Sequence, residues 1–167
     1  MHKKAYKEAD LLKPLIDAAT TVLETMAFTP VHAGQPYVKE DSIARGDVSG
    51  IVGLTGEARG TLSVSFTEES ILQVVSSMLG EKIEEMNEDI RDAVGEITNM
   101  ISGQSRRILE EKGRLVEAAI PTVIMGKNHS IAHMTTQSVM AIPFLTDHGE
   151  FTIEICFEES PQSSKEK

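Results

Sequence analysis

Apolar residues recur along this chain with two periods, and the switches between them mark out its elements. Over residues 11–26, Leu15, Ala18, Ala19, Val22, Leu23 and Met26 return at helical spacing, and Pro30 lies just beyond. Two extended pieces follow, at 29–33 and 47–54, separated by a polar loop holding Gln35-Pro36, Lys39-Glu40-Asp41 and Gly46. Alternation from Gly60 to Phe66 predicts a half-buried strand. Thr67 reads as an N-cap, with Glu68 and Glu69 in the first turn of a helix that runs through Leu79 and closes at Gly80. A longer helix is predicted from Asn87, as cap, to Lys112, with Gly113 as its stop. Strands are expected at about 115–124, 137–145 and 150–157, and the polar residues 161–167 are expected to form a disordered tail.

The order of these elements repeats. Leu54-Thr55 and Phe66 find counterparts 91 positions on, in Leu145-Thr146 and Phe157, and Pro30 and Pro121 share that offset. Each half reads as helix, strand, then hairpin, with the halves at about 9–80 and 87–160. The expected architecture is a single α+β domain over residues 1–160, a pseudo-two-fold antiparallel sheet with two long related helices packed against it.

Composition narrows the function. A chain of 167 residues with 40% hydrophobic and 25% charged residues has the make-up of a globular protein with a real core. Its net charge of −10 repels phosphate backbones and anionic headgroups, so nucleic acid and membrane surfaces are not expected partners. The charged start, Met1 to Glu8, has no secretory apolar core behind it, and no apolar run approaches the roughly 20 residues a membrane helix needs. A cytoplasmic location is expected. Cys156, the single cysteine, fits a reducing compartment and reads as a small apolar residue in a strand.

The long helix carries the informative constellation. Ile90, Val94, Ile97, Ile101 and Ile108 form a buried stripe; at about 100° per residue, Asp92, Glu96, Asn99, Gly103 and Glu110 fall opposite. Asp92 and Glu96 repel one another at i,i+4, and Gly103 in mid-helix costs about 1 kcal/mol relative to Ala. Stability alone selects neither. A glycine lets another backbone approach, Glu96 can accept from a cation such as a lysine, and Asn99 offers a donor and an acceptor that can hold a water for attack. On composition alone, the same residues also describe an ordinary solvated helix face.

Asp92, then Glu96, then Asn99, with Pro121 after 21 further residues, resembles the signature of the CheC/CheX/FliY family of chemotaxis response-regulator phosphatases. The run Glu96-Ile97-Thr98-Asn99-Met100-Ile101-Ser102-Gly103 is most similar to the CheX branch. The resemblance implies hydrolysis of the aspartyl phosphate of a CheY-like receiver. It gives Asn99 the role of orienting the attacking water and Glu96 that of engaging the receiver's lysine. Asp92 and Gly103 would help docking, and Pro121 would fix the neighbouring strand. No cofactor is expected on this chain, since Mg²⁺ would come with the receiver, and a homodimer through sheet edges is implied. The alternative is a non-catalytic receiver-binding or flagellar-motor scaffold of the same fold. CheC and FliY relatives usually carry the signature twice; here the 91-residue offset puts Ala5 and Glu8 in place of Glu and Asn, so one site per chain is expected. Thr98 replaces a glycine common in CheC members, and Pro121 lies one residue nearer than is usual.

Other signals are weaker. His129 and His133 are four apart but read as loop residues, so no metal site is expected there. Gly50, Gly53, Gly56 and Gly60 read as hairpin turns, the methionines as core, and Arg106-Arg107 as a complement to the helix dipole.

Overall fold

A computed structural model describes residues 9–133 and 137–159. The elements are α1 (Ala9–Ala27), β1 (His32–Ala33), β2 (Tyr37–Lys39), β3 (Val48–Gly56), β4 (Ala58–Phe66), α2 (Glu68–Leu79), α3 (Glu88–Glu111), β5 (Val116–Ala118), β6 (Thr122–Met125), β7 (Val139–Thr146) and β8 (Gly149–Glu159). All strands join one antiparallel sheet in the order β1-β7-β8-β4-β3-β5, with β2 also on β7 and β6 also on β3. Three helices pack on it, the short α2 accompanying the two long ones, so the class is α+β. The caps behave as their residue types dictate. Thr67 accepts from the Ser70 amide, Asn87 accepts from the Ile90 amide, and Gly80 ends α2 at a left-handed φ of 68°.

The hairpins β3–β4 and β7–β8 occupy equivalent places at the 91-residue offset. They meet along β4–β8, where Ser63 faces Glu154, its own counterpart, so the pseudo-two-fold axis passes between these two residues. Phe151 stacks on Phe144 and meets Phe66 at a tilt at this seam, with ring centroids 4.7 and 5.1 Å apart. One continuous core joins it to Leu15 and Leu23 of α1, Ile71 and Val75 of α2, and Ile90, Val94 and Ile97 of α3.

Several expectations are corrected. The edge strands are exchanged between halves: β1 and β2 pair with β7, whereas β5 and β6 pair with β3. Tyr37 faces Ala141 as Val123 faces Gly50, so the edge segments repeat at 86 positions rather than 91. Pro121 therefore corresponds to Gln35, beside Pro36, and its match with Pro30 is coincidental. The strand expected over 115–124 is two strands, because the chain leaves the ladder at Ile120–Pro121, with Ile120 90% exposed. Gly50 and Gly53 lie inside β3, not in a turn. The described methionines pack at the margins of the core instead of within it, and Met26 is 40% exposed. Arg106 and Arg107 fall short of the last turn of α3, which holds no basic residue. Residues 1–8, including Ala5 and Glu8, and the tail at 161–167 lie outside the described residues.

Candidate functional site

α3 is placed by its underside. Ile90, Val94, Ile97, Ile101 and Leu109 are buried against the sheet, while Ile108, expected in that stripe, is only half-buried. Between the apolar residues lie buried hydroxyls that the periodicity did not reveal: Thr98, Ser102 and Ser105. Thr98 and Ser105 donate to the carbonyls of Val94 and Ile101, at 2.7 Å each, so their polarity is met within the helix. Such small residues let the helix come close to β3. A Cβ on Gly50 would stand 2.8 Å from the Cβ of Thr98.

The upper side carries the predicted residues. Asp92, Glu96 and Asn99 are all exposed, successive along one ridge, and none has a side-chain hydrogen bond or ion pair among the described residues. Their polar atoms are thus available to a partner. Gly103 continues the ridge a turn further on. Among the described residues a Cβ there would meet only Arg106 Nη2, at 3.9 Å, so none of them requires glycine at this position. Pro121 is half-buried immediately before β6, and β6 runs beside the ridge: a Cβ on Gly95 would touch Val123 at 3.5 Å, and Arg91 donates to the Val123 carbonyl at 3.4 Å. The structure thus brings Asp92, Glu96, Asn99 and Gly103 together on α3 and places Pro121 at the head of the strand flanking it.

A model of the chemotaxis phosphatase CheX matches residues 48–145. The chain belongs to the CheX family. It is 37% identical over 126 residues to the CheY-P phosphatase CheX of Thermotoga maritima, covering 74% of this chain and 81% of that one. Its fold is similar to the crystal structure of the chemotaxis protein CheX from Desulfovibrio desulfuricans, at 51% identity and TM-score 0.83, covering 89% of this chain and 99% of that one. It is also similar to the CheX in a CheX–CheY–BeF₃–Mg²⁺ complex from Borrelia burgdorferi, at 27% identity and TM-score 0.78, covering 90% and 99% respectively.

Two features of this CheX-family chain escaped the sequence reading. The first is a groove of about 250 Å³ where α2 meets the start of α3. Met78, Leu79 and Ala93 give it an apolar floor, and Asp89, Asp92 and Glu96 form its rim. Only the apolar pair before Gly80, followed by an acidic stretch, hinted at it in the sequence. The second feature is a charge cluster on the sheet face away from α3. Lys39 Nζ donates to Glu154 Oε2 at 2.9 Å, and His133 Nε2 lies 3.2 Å from Glu154 Oε1, with both Lys39 and Glu154 side chains essentially inaccessible. Burial raises the Glu154 pKa, but the hydrogen bonds from His133 and Lys39 and the lysine charge outweigh it and hold the carboxyl below its ordinary value. His129 is similarly engaged, bonded to Ser49 Oγ at 2.6 Å and to the Gly126 carbonyl at 2.6 Å. Cys156 is a buried strand residue whose thiol donates to the Gln137 carbonyl.

Proposed function

We propose that this chain is a phosphatase that hydrolyses the aspartyl phosphate of a CheY-like receiver and so ends a chemotaxis or related two-component signal. The observation that carries the reading is the exposed, internally unpartnered pair Glu96 and Asn99 on a helix anchored by Thr98. The similarity to the Thermotoga CheY-P phosphatase and to the Borrelia complex supports it. Asn99 holds a water in line with phosphorus through its amide. The water adds as the acyl–phosphate P–O bond breaks, giving inorganic phosphate and the receiver's carboxylate. Glu96 engages the receiver's active-site lysine and draws it from the phosphoryl group, while Asp92 and Gly103 shape the docking surface. Mg²⁺ belongs to the receiver in this reading, and the helix supplies only position. That is sufficient, because an acyl phosphate already has a good leaving group and phosphoryl transfer depends chiefly on alignment and charge.

A receiver substrate supports a cytoplasmic location for the enzyme. No helix among the described residues is long and apolar enough to cross a membrane. A homodimer is supported by the sheet's open edges, where β2 leaves Tyr37 and Val38 exposed. Light scattering reads that state directly.

The test follows loss of phosphoryl groups from a receiver loaded with acetyl phosphate and Mg²⁺. Wild type accelerates the decay, and Asn99→Ala slows turnover by about 100-fold or more, since the water is no longer aligned. Asn99→Asp has nearly the same shape but sets a negative charge against an anionic phosphoryl group, and it is equally impaired. Full turnover by Asn99→Ala overturns the assignment. Tight binding of the receiver without accelerated decay by wild type makes the protein a scaffold.

A further inference from the structure

We infer that the groove between α2 and α3 is the second half of the docking surface, and that it takes an apolar side chain flanked by lysine or arginine on the receiver. The inference rests on the phosphatase reading, because the receiver is the occupant it names. Two observations carry it, and the charge of the rim adds a third. Glu96 is at once a member of the groove rim and one of the two proposed chemical residues, so a receiver reaching Glu96 and Asn99 lays its adjoining surface across the groove. The floor is apolar and open, with Leu79 51% exposed at the very end of α2. Burying such a side chain under a partner removes apolar area from water that folding left exposed.

The rim settles the sign of the partner's charge. Residues 81–96 hold seven acids against two bases. One of those bases, Lys82, is 3.1 Å from Glu84, and the other, Arg91, is turned toward the Val123 carbonyl. Asp89, Asp92 and Glu96 therefore face the groove without a paired cation among the described residues. A basic surface is drawn to such a rim from a distance and oriented as it arrives, while an acidic one is repelled. The lysine proposed to meet Glu96 is the first of these bases, and the rim calls for at least one more beside Asp89. Leu79 and Asp89 become specificity residues, acting on which receiver is accepted and not on the hydrolytic step.

The experiment compares KM and kcat for a CheY-like receiver loaded with acetyl phosphate and Mg²⁺. Leu79→Lys, a change at an exposed site, should raise KM about 10-fold, as loss of a central apolar anchor does, with kcat held within about twofold. Asp89→Asn should raise KM about threefold and flatten its dependence on salt, as loss of a rim charge does. Leu115→Lys alters another exposed leucine, beyond the far end of α3, and should leave both constants unchanged. Circular dichroism and thermal unfolding of each variant show whether the chain is folded. Wild-type KM in both groove variants, with wild type active, overturns the groove while leaving the phosphatase reading intact. An equal rise in KM for Leu115→Lys overturns it as well. A wild-type protein that leaves receiver decay unaltered overturns the phosphatase reading itself.

Discussion

Thr98 of α3 stands over Gly50 of β3 with no room for a side chain between them. This contact sets the height of the helix above the sheet one residue before Asn99. The threonine is held from the other side as well, through its hydroxyl on the Val94 carbonyl. A side chain that must align a water needs a rigid base, and here the rigidity is supplied by a missing Cβ.

Gly50→Ala should therefore act as overpacking. Its Cβ, 2.8 Å from that of Thr98, forces helix and sheet apart at a cost of about 1–3 kcal/mol, read by urea unfolding. Turnover should fall with it, because Asn99 is displaced. Thr98→Gly in the same chain should recover part of the loss, with a coupling of roughly 0.5–3 kcal/mol in the double-mutant cycle. Purely additive costs would show that the contact does not bear on the helix.

Glu154 should make stability fall in acid. Its carboxyl titrates below the ordinary value of 4.5 in the folded chain, so its contribution is complete above about pH 4.5 and is lost as pH drops through the lower folded value. Lys39→Met removes the lysine and leaves the buried carboxylate with His133 as its remaining partner, costing up to about 3 kcal/mol at neutral pH. The penalty should shrink as pH falls, since without the lysine Glu154 takes up its proton at a higher pH than it does in the wild type. Urea unfolding at a series of pH values measures both slopes, and parallel profiles for the two proteins would count against the pairing.

One receiver should saturate one chain. The 86-residue offset of the edge strands, carried back along the chain, makes Asp10 and Lys13 of α1 the counterparts of Glu96 and Asn99, and Lys13 is exposed and paired with Asp17 at 3.1 Å. Lys13→Ala should leave turnover unchanged and shift stability by no more than about 0.5 kcal/mol. Calorimetric titration with a beryllofluoride-bound receiver gives the count, and a value of two would place a second site on α1.

The parts of the molecule open to sequence reading were those governed by near neighbours in the chain. Thr67, Asn87 and Gly80 declared helix ends through backbone groups only three or so residues away. The hairpins repeated visibly because pleated strands alternate and their turns are short. Glu96 and Asn99 could be set on one side of a helix because its period is fixed. What failed depended on pairing between distant segments. β2 has three residues inside a polar loop and becomes a strand only because β7 is there to receive it. Thr98, Ser102 and Ser105 read as polar, yet they are buried because the helix meets the sheet at small residues. Lys39 lay in an expected polar loop and Glu154 in an expected strand, and only the crossing of β2, β7 and β8 makes them a buried pair. The α2–α3 groove needed the packing of two helices that no local pattern encodes.

The exchange of edge strands has a consequence for the chain as an object that can be cut. The connection between α2 and α3, at residues 80–87, is exposed over most of its length and is the natural place for a protease to enter. Cleavage there would not release two pieces. The first would still hold β1 and β2 on the second piece's β7, and the second would still hold β5 and β6 on the first piece's β3. With β4 and β8 zipped between them, the fragments would remain clasped, each completing the other's sheet. In this arrangement neither half of the chain completes its own sheet.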